Sequence, residues 1–242
     1  MGNIKLLRRW VRRAGHRMGV LTDWEQVAEA SQGQERTADW YDSRFATSAA
    51  FQAPYYISRY YFLWSIIADR IARSNISHVL EIGCGPGQFA ELLRDQGIVS
   101  YTGLDFSPAA IEIAKARVPE FDFVVDDART SDVYSRVAYE AIVCTEVLEH
   151  IEDDFSVLAQ FGIGKRCLCT VPSFPYLSHV RNFSSVEEVQ LRYGPFFDDL
   201  VVSSYHDSRL EHDYFYLIDG KRNSYGKAPS SPVLPPGELL RS

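Results

Sequence analysis

Three glycines at alternate positions follow a short apolar run in the stretch VLEIGCGPGQFA, residues 79–90. Gly83, Gly85 and Gly87 have no Cβ atoms to keep a ligand away from the backbone, and their N–H groups can face a crevice. Glu81 sits at the end of the apolar run, where its carboxylate faces the same crevice. A dinucleotide-binding loop reads Gly-x-Gly-x-x-Gly, whereas here the third glycine comes one residue early. The spacing therefore predicts a ligand-binding loop of a different kind.

Four polar residues further along the chain form a second candidate site. Glu146, Glu149 and His150 occur at i, i+3 and i+4, so a helical turn beginning at residue 146 would place all three on one face. His179 follows the next apolar run. Two carboxylates and two imidazoles suit a divalent ion such as Mg²⁺, Mn²⁺ or Fe²⁺. A metal-free site is the alternative, with His150, His179 or Glu146 as a general base, or with Glu149 and His150 only capping and packing.

These residues need a scaffold, and the chain between them alternates strand-like apolar runs with helical patterns. Such alternation predicts a parallel sheet with helices on both faces. Two later strand candidates have no helix between them, which is typical of an antiparallel hairpin at a sheet edge. The expected strands are residues 78–82, 100–104, 121–125, 140–144, 166–171, 199–205 and 213–218, and the expected helices are residues 55–73, 87–96, 108–117, 130–137, 151–160 and 185–193.

The end of the second predicted strand carries further candidate binding residues. Ligands of an open parallel sheet bind beyond the carboxyl ends of its strands. Asp105 lies there, 22 positions after Gly83. Its carboxylate can accept hydrogen bonds from both hydroxyls of a cis-diol, and the adjacent Phe106 can lie against a flat ring.

The pattern E-x-G-x-G-x-G at residues 81–87 resembles motif I of the class I S-adenosylmethionine (SAM)-dependent methyltransferases. The likeness extends over roughly residues 55–220. It implies a Rossmann-like α/β fold with a seven-stranded, mostly parallel sheet, helices on both faces and an antiparallel edge strand. It also implies SAM as the cofactor, with Asp105 accepting from the ribose hydroxyls and Phe106 against the adenine.

Two more strand ends fit the same resemblance. Asp127 and Ala128 resemble the family's Asp-Ala pair, whose carboxylate accepts from the adenine amino group while the next backbone N–H meets the ring. The fourth strand ends in a segment that resembles motif IV, with Thr145 lining the floor near the sulfonium.

The E-x-x-E-H segment at residues 146–150, together with His179, looks like the site of the small-RNA 2′-O-methyltransferases and of the ubiquinone-pathway O-methyltransferases. That resemblance implies a metal, Mg²⁺ or Mn²⁺, that holds a substrate hydroxylate. Many relatives carry a similar segment without a metal, so both alternatives stand at this point.

The aromatic-rich segment 39–64 precedes the sheet, and in this family such segments fold over the cofactor as a lid. Tyr41, Arg59 and Tyr60 are therefore candidates for binding the methionine end of SAM or the substrate. The aromatic side chains could equally belong to the core.

Charge is distributed unevenly between the N-terminus and the body of the chain. Residues 1–20 carry six basic residues and no acidic one, which leaves 19 basic against 32 acidic residues elsewhere. An acidic body argues against nucleic acid as the principal partner. The N-terminal pattern predicts a basic amphipathic helix, with residues 4–20 contacting an anionic membrane, docking a partner or packing on the acidic body.

Composition completes the domain plan. Residues 1–38 are expected to form the N-terminal helix and linker, residues 39–222 the methyltransferase domain with its lid, and residues 223–242 a disordered proline-rich tail. Four cysteines lie within apolar runs, which is typical of buried thiols in a reducing, cytoplasmic compartment.

Together these expectations favour a SAM-dependent methyltransferase with a small-molecule acceptor, methylated at the hydroxyl oxygen of a sugar, a phenol or a lipid-linked compound. Two alternatives remain open from sequence: a non-catalytic SAM-binding regulatory subunit, and an RNA 2′-O-methyltransferase. The oligomeric state is not predicted.

Overall fold

The computed structural model describes residues 33–206 and 213–225, which form one seven-stranded sheet in the order β3-β2-β1-β4-β5-β7-β6. The five N-terminal strands pair in parallel, and β7 runs antiparallel to both of its neighbours. The strands are β1 (His78–Ile82), β2 (Ser100–Asp105), β3 (Asp122–Val125), β4 (Ala141–Thr145), β5 (Arg166–Pro172), β6 (Phe197–His206) and β7 (Tyr214–Arg222).

Eight helices accompany the sheet in the described part of the chain. They are α1 (Ala38–Thr47), α2 (Ala49–Gln52), α3 (Tyr61–Arg73), α4 (Gln88–Asp95), α5 (Pro108–Arg117), α6 (Val133–Arg136), α7 (Asp154–Gln160) and α8 (Val186–Tyr193), with 3₁₀ turns at Tyr55–Ile57, Leu148–His150 and Gly194–Phe196. The predicted fold class is confirmed. One detail differs, because the antiparallel strand β7 lies between β5 and β6, and β6 takes the edge.

The sheet separates two hydrophobic cores. On one face α3, α4 and α5 bury residues such as Ile67, Leu93 and Ile111. On the other face α7 and α8 bury Leu158 and Tyr193. All five residues of β4 are buried, as expected for a parallel strand with helices on both sides.

Strand order reverses at the centre of the sheet. β1 pairs with β2 on one side and with β4 on the other, so the chain leaves its two sides in opposite directions. An open α/β sheet has its ligand crevice at such a switch point, beyond the carboxyl ends of the strands. The glycine loop after β1 and the polar segment after β4 therefore meet at one crevice.

The predicted helix 55–73 is interrupted near its start. Residues Tyr55–Ile57 form a separate 3₁₀ turn, and α3 begins only at Tyr61. Ser58 is extended, and its Oγ accepts a hydrogen bond from the N–H of Tyr60 at 3.2 Å. A serine side chain that bonds to nearby backbone competes with helix formation, and this explains the break.

The cysteines and the hydrophobicity of the helices can be compared with the sequence predictions. All four cysteines are buried and unpaired in disulfides, as predicted. Within the described residues, no helix is both long enough and apolar enough to span a bilayer. The predicted basic helix (residues 4–20), most of the linker and nearly all of the tail lie outside the described residues, so those predictions stand as they are.

Asp154 is the charged residue that joins the elements beneath the crevice. Its carboxylate is 1% exposed and accepts from Arg192 at 2.6 Å and from the Tyr193 hydroxyl at 2.8 Å. Arg181, from the segment after β5, lies 3.2 Å from the same carboxylate. The start of α7 is thereby tied to α8 and to the loop that contributes His179.

Replacing Asp154 with alanine should lower the free energy of unfolding by on the order of 3 kcal/mol, because two arginines lose a desolvated partner. Both arginines keep some contact with solvent, which places the loss at the low end for buried ion pairs. Urea unfolding measures it. Asp132→Ala is the matched control, since it removes an exposed partner of Arg136 and should change stability little. If both variants lost the same free energy of unfolding, the stabilising role assigned to Asp154 would be contradicted.

Candidate active site

A cavity of about 620 Å³ opens where β1, β2 and β4 end. That volume is typical of a small-molecule or cofactor site. Its walls come from the segment 35–60, the loop after β1, the ends of β2 to β4, and the loop after β5. The residues predicted from sequence that line it are Tyr41, Arg59, Tyr60, Glu81, Gly83, Gly85, Asp105, Phe106, Asp127, Ala128, Thr145, Glu146, His150 and His179.

The loop after β1 depends on its glycines. Gly83, Gly85 and Gly87 all have positive φ, between 50° and 75°, a region that other residues rarely adopt. A Cβ at Gly83 would lie 2.2 Å from Cγ2 of Val147. Gly87 does not line the cavity; it begins α4 as its N-cap residue. The glycines therefore allow the loop to turn, and Gly83 also allows the segment after β4 to pack closely against it.

Asp105 closes this loop from the end of β2. One carboxylate oxygen accepts from the N–H of Gly85 at 2.9 Å and the other from the N–H of Ser107 at 2.9 Å. Burial raises the pKa of Asp105 to about 6, although these backbone bonds oppose the rise. Each oxygen keeps a further lone pair, so the carboxylate can still accept from a ligand diol. Phe106 is 39% exposed at the same edge.

Glu81 has a partner that the sequence did not indicate. Its carboxylate accepts a short hydrogen bond from the hydroxyl of Tyr101 on β2. Burial raises the pKa of Glu81 to about 8, and the Tyr101 bond lowers it only in part. Glu81 lines the cavity as predicted, but as a buried carboxyl that is already hydrogen-bonded.

The loop after β3 presents Asp127, with Ala128 buried beside it. Arg129 binds both oxygens of the Asp127 carboxylate, at 3.0 and 2.7 Å, and this bond lowers the pKa of Asp127. Arg129 also pairs with Glu35 at 3.0 Å, from the segment ahead of α1. Sequence reasoning missed this ion-pair chain, because residues 35 and 129 are distant in the sequence.

The predicted helical turn beginning at residue 146 is wrong. Glu146 has a φ of 56°, and the turn that follows is a 3₁₀ turn over Leu148–His150. The N–H of Glu146 donates to Oγ1 of Thr170 at 3.1 Å, and the Thr170 hydroxyl donates to the Glu146 carboxylate at 3.0 Å. Thr170 stands beside Thr145 in the sheet and so sets the position of Glu146. Burial raises the pKa of Glu146 to about 7.

Glu149, His150 and His179 come together although no helical turn aligns them with Glu146. One ligand-type atom from each lies within 4.8 Å of the others, and Glu146 is not part of this group. The Glu149 carboxyl group is fully buried, and within the described part of the chain neither of its oxygens has a hydrogen-bond partner. Burial raises the pKa of Glu149 well above its ordinary value, and the nearby Glu146 carboxylate raises it further.

The two histidines are held in one tautomer by backbone carbonyls. Nδ1 of His150 donates to the carbonyl of Ser178, and Nδ1 of His179 donates to the carbonyl of Phe174, both at 2.9 Å. Each Nε2 therefore keeps its lone pair. Burial lowers the pKa of His150 to about 4 and, with the help of His150, that of His179 to about 3, so both rings are neutral near pH 7.

Arg181 holds the segment that carries these ligand-type atoms. Its guanidinium donates to the carbonyls of Leu148, Ile151 and Glu152. The N–H of the preceding Val180 donates to the carbonyl of Glu149 at 2.8 Å. Arg181 belongs to no motif that the sequence analysis recognised. It reaches the segment after β4 only because β4 and β5 are neighbours in the sheet.

Helices α1 and α2 and the turn after them contribute side chains to the wall of the cavity, and the lid itself stays a prediction. The Tyr41 ring lies 5.3 Å from Phe106 and 6.0 Å from His150, so it bridges the two halves of the site. The Arg59 guanidinium lies over the rings of Tyr60 and Phe174, at 5.2 and 5.4 Å. Of these three predicted lid residues, none is fully buried, and all line the cavity.

Polar residues outside the predicted set fasten this lid. Arg117 on α5 donates to the carbonyls of Phe51 and Ala53, and to that of Pro86 in the glycine loop. Gln88 donates to the carbonyl of Ala53 at 2.7 Å. At the other end of the lid, Asp42 accepts from the hydroxyl of Ser107.

Comparisons with known proteins agree with this geometry. The family model described as "Methyltransferase domain" matches residues 33–162. The trans-aconitate 2-methyltransferase of Enterobacter sp. (strain 638) is 36% identical over 90 residues, covering 37% of this chain and 35% of the relative. The ubiquinone biosynthesis O-methyltransferase of Vibrio atlanticus (strain LGP32) is 33% identical over 84 residues, covering 33% and 35%. The chain thus spans about a third of the length of each of these curated relatives.

Among solved structures, the N-methyltransferase NodS from Bradyrhizobium japonicum WM9, in complex with S-adenosyl-L-homocysteine, is similar with a TM-score of 0.56. It is 17% identical, and the match covers 77% of this chain and 99% of that one. At this identity the likeness shows the fold. The family match covers more than half of the chain and includes the glycine loop and the ends of β2 to β4. This chain therefore belongs to the class I SAM-dependent methyltransferases.

Proposed function

We propose that this methyltransferase transfers the methyl group of SAM to a hydroxyl oxygen of a small-molecule acceptor, with a divalent ion held by Glu149, His150 and His179. The observation that carries the proposal is the Glu149 carboxyl group, which is fully buried beside the imidazoles of His150 and His179 and has no hydrogen bond among the described residues. Ionising a buried carboxyl group without a partner costs several kcal/mol, and a bound cation would remove that cost.

The donor set fits a divalent ion. Both histidines donate Nδ1–H to backbone carbonyls, which is the arrangement that orients metal-binding imidazoles and leaves Nε2 available. One carboxylate and two imidazoles, with no thiolate among them, suit Mn²⁺, Fe²⁺ or Mg²⁺ better than a structural zinc site. When bound, such an ion would lower the pKa of an acceptor hydroxyl.

The residues of this chain provide the remaining requirements of methyl transfer. Gly83, Gly85 and Asp105 would hold the adenosine part of SAM, and Arg59 and Tyr41 the methionine part. When bound, SAM supplies an electrophilic methyl group on a sulfonium. Glu146, whose carboxyl has a pKa of about 7, is available to accept a proton at the edge of the cavity. The lid excludes water and aligns the two substrates.

Oxygen as the methylated atom is supported by the name of one matched relative, a ubiquinone biosynthesis O-methyltransferase. A small acceptor is supported by the cavity of about 620 Å³, which the lid residues partly enclose. The acidic body of the chain disfavours an RNA acceptor.

The metal is tested by stability measurements on chelator-treated protein saturated with S-adenosylhomocysteine. Mn²⁺ at about a hundredfold excess over its dissociation constant should stabilise the protein by about 2.7 kcal/mol. Glu149→Gln keeps the shape of the side chain and removes the charge, so it should weaken Mn²⁺ binding at least tenfold without unfolding the protein. Glu152→Gln, an equal charge change at an exposed position, should bind Mn²⁺ like the native protein. No stabilisation by Mn²⁺ in the native protein would refute the metal.

The reaction itself is tested with radiolabelled SAM and catechol, a small diol. Label should pass to catechol in the presence of Mn²⁺, and chelation or Glu149→Gln should lower the rate at least tenfold. Cofactor binding without transfer to catechol or to any other diol would instead support a non-catalytic SAM-binding protein.

The cofactor geometry gives a pH-dependent prediction for Asp105. Its pKa is raised to about 6, so it is ionised above that pH and loses acceptor capacity as the pH falls. The affinity for S-adenosylhomocysteine, measured by calorimetry, should therefore fall between pH 7 and pH 5. Asp105→Asn should weaken binding roughly tenfold at pH 7 and flatten this dependence, because its amide would face the N–H groups of Gly85 and Ser107. Asp122→Asn, at the exposed start of β3, should behave like the native protein.

A further inference from the structure

Arg36 and Arg44 line the cavity, and neither pairs with a carboxylate of the described residues. The Arg36 guanidinium lies 5.7 Å from the centre of the Trp40 ring, and that of Arg44 lies 4.7 Å from it. Arg44 also lies 5.6 Å from the Tyr176 ring and donates to the Tyr176 hydroxyl. Arg36, Trp40, Arg44 and Tyr176 all line the cavity, and we call them the arginine–tryptophan cluster.

Within the described residues, the positive charges of the two arginines in this cluster have no carboxylate as an ion-pair partner. Arg36 donates from Nη2 to the carbonyl of Leu177 at 3.2 Å, but its Nε is buried and has no hydrogen-bond partner among the residues described. Among the residues that the structure describes, no carboxylate lies within 4.0 Å of Arg36 or Arg44. By contrast, Arg129, which also lines the cavity, pairs with Glu35 at 3.0 Å. A buried N–H on a guanidinium without an anion indicates that a ligand supplies the acceptor.

The cluster lies on the acceptor side of the site. Tyr176 is 5.4 Å from the ring of His179, and Trp40 is 4.8 Å from Tyr41, which in turn contacts His150. Arg36 and Arg44 both contact residues 176–177, in the loop after β5. The adenosine side, with Asp105 and Asp127, is formed by β2 and β3 instead. An anion bound by these arginines would thus belong to a molecule that also reaches the histidine pair.

We infer that the acceptor carries a carboxylate on a flat ring, with the carboxylate bound by Arg36 and Arg44 and the ring against Trp40 and Tyr176. Guanidinium groups bind carboxylates through paired N–H donors, and aromatic walls accept a planar ring. A singly charged carboxylate suits this partly apolar wall better than a phosphate dianion, which costs more to desolvate. The inference rests on the proposed function, because it places the acceptor beside Glu149, His150 and His179.

Calorimetry on the full chain saturated with S-adenosylhomocysteine tests this inference. The probes are 3,4-dihydroxybenzoate and its neutral counterpart, 3,4-dihydroxybenzyl alcohol. The native protein should bind the carboxylate at least tenfold more tightly than the alcohol. Arg44→Gln and Arg36→Gln should each remove most of that preference while leaving the affinity for the alcohol nearly unchanged. Arg136→Gln, which removes an equal charge at an exposed position on α6, should keep the preference.

Three results would overturn the inference. The native protein would bind both probes equally, or both arginine variants would keep the preference. In the third case the variants would lose affinity for S-adenosylhomocysteine by the same factor as for the carboxylate, which would assign these arginines to the methionine carboxylate of the cofactor. Repeating the titration with Mn²⁺ separates the two proposals. A carboxylate preference without any effect of Mn²⁺ supports the anion site and counts against the metal.

Discussion

Hydrogen bonds between the segments after β4 and β5 hold the candidate active site together. The N–H of Val180 bonds to the carbonyl of Glu149, and the ring of His150 bonds to the carbonyl of Ser178. Arg181 adds bonds to three more carbonyls, and the buried carboxylate of Asp154 holds Arg181 in turn. Without this contact, Glu149 and His179 would sit on two independent loops. With it, their positions are fixed relative to the sheet.

Burial of acidic groups is the second constraint on the site. The pKa values of Glu81, Asp105 and Glu149 are all raised, and in each case burial is the largest cause. Such clusters of perturbed carboxyl groups are typical of functional sites. The positive charge of a sulfonium cofactor or a divalent cation would compensate these carboxylates, whereas the arginine–tryptophan cluster would suit an anion. The site therefore combines groups that would suit a cation with groups that would suit an anion, and we expect them to bind different parts of the reacting pair.

The predicted lid, the segment 39–64, is held by hydrogen bonds at both of its ends. Arg117 joins its C-terminal part to the glycine loop, and Asp42 joins α1 to the start of α5. Most of these bonds go to backbone carbonyls, so they constrain the path of the lid without requiring particular side chains along it. The family resemblance predicted a lid over the aromatic-rich segment 39–64, whereas the residues that fasten this segment gave no signal in the sequence.

The sequence by itself determined the strand order along the chain, the fold class and the crevice, because alternating apolar periods and the glycine spacing are local properties. Most of the site residues that it identified do line the cavity, since parallel strands present their carboxyl ends at one edge. Only the tertiary structure decided which polar groups face each other. Glu146 is separated from the predicted group of four by its left-handed backbone and its bonds to Thr170. Arg36, Arg44, Arg129 and Arg181 acquire their roles from contacts with residues far away in sequence. Those contacts depend on how loops from different strands pack together, and no local pattern in the chain encodes that packing.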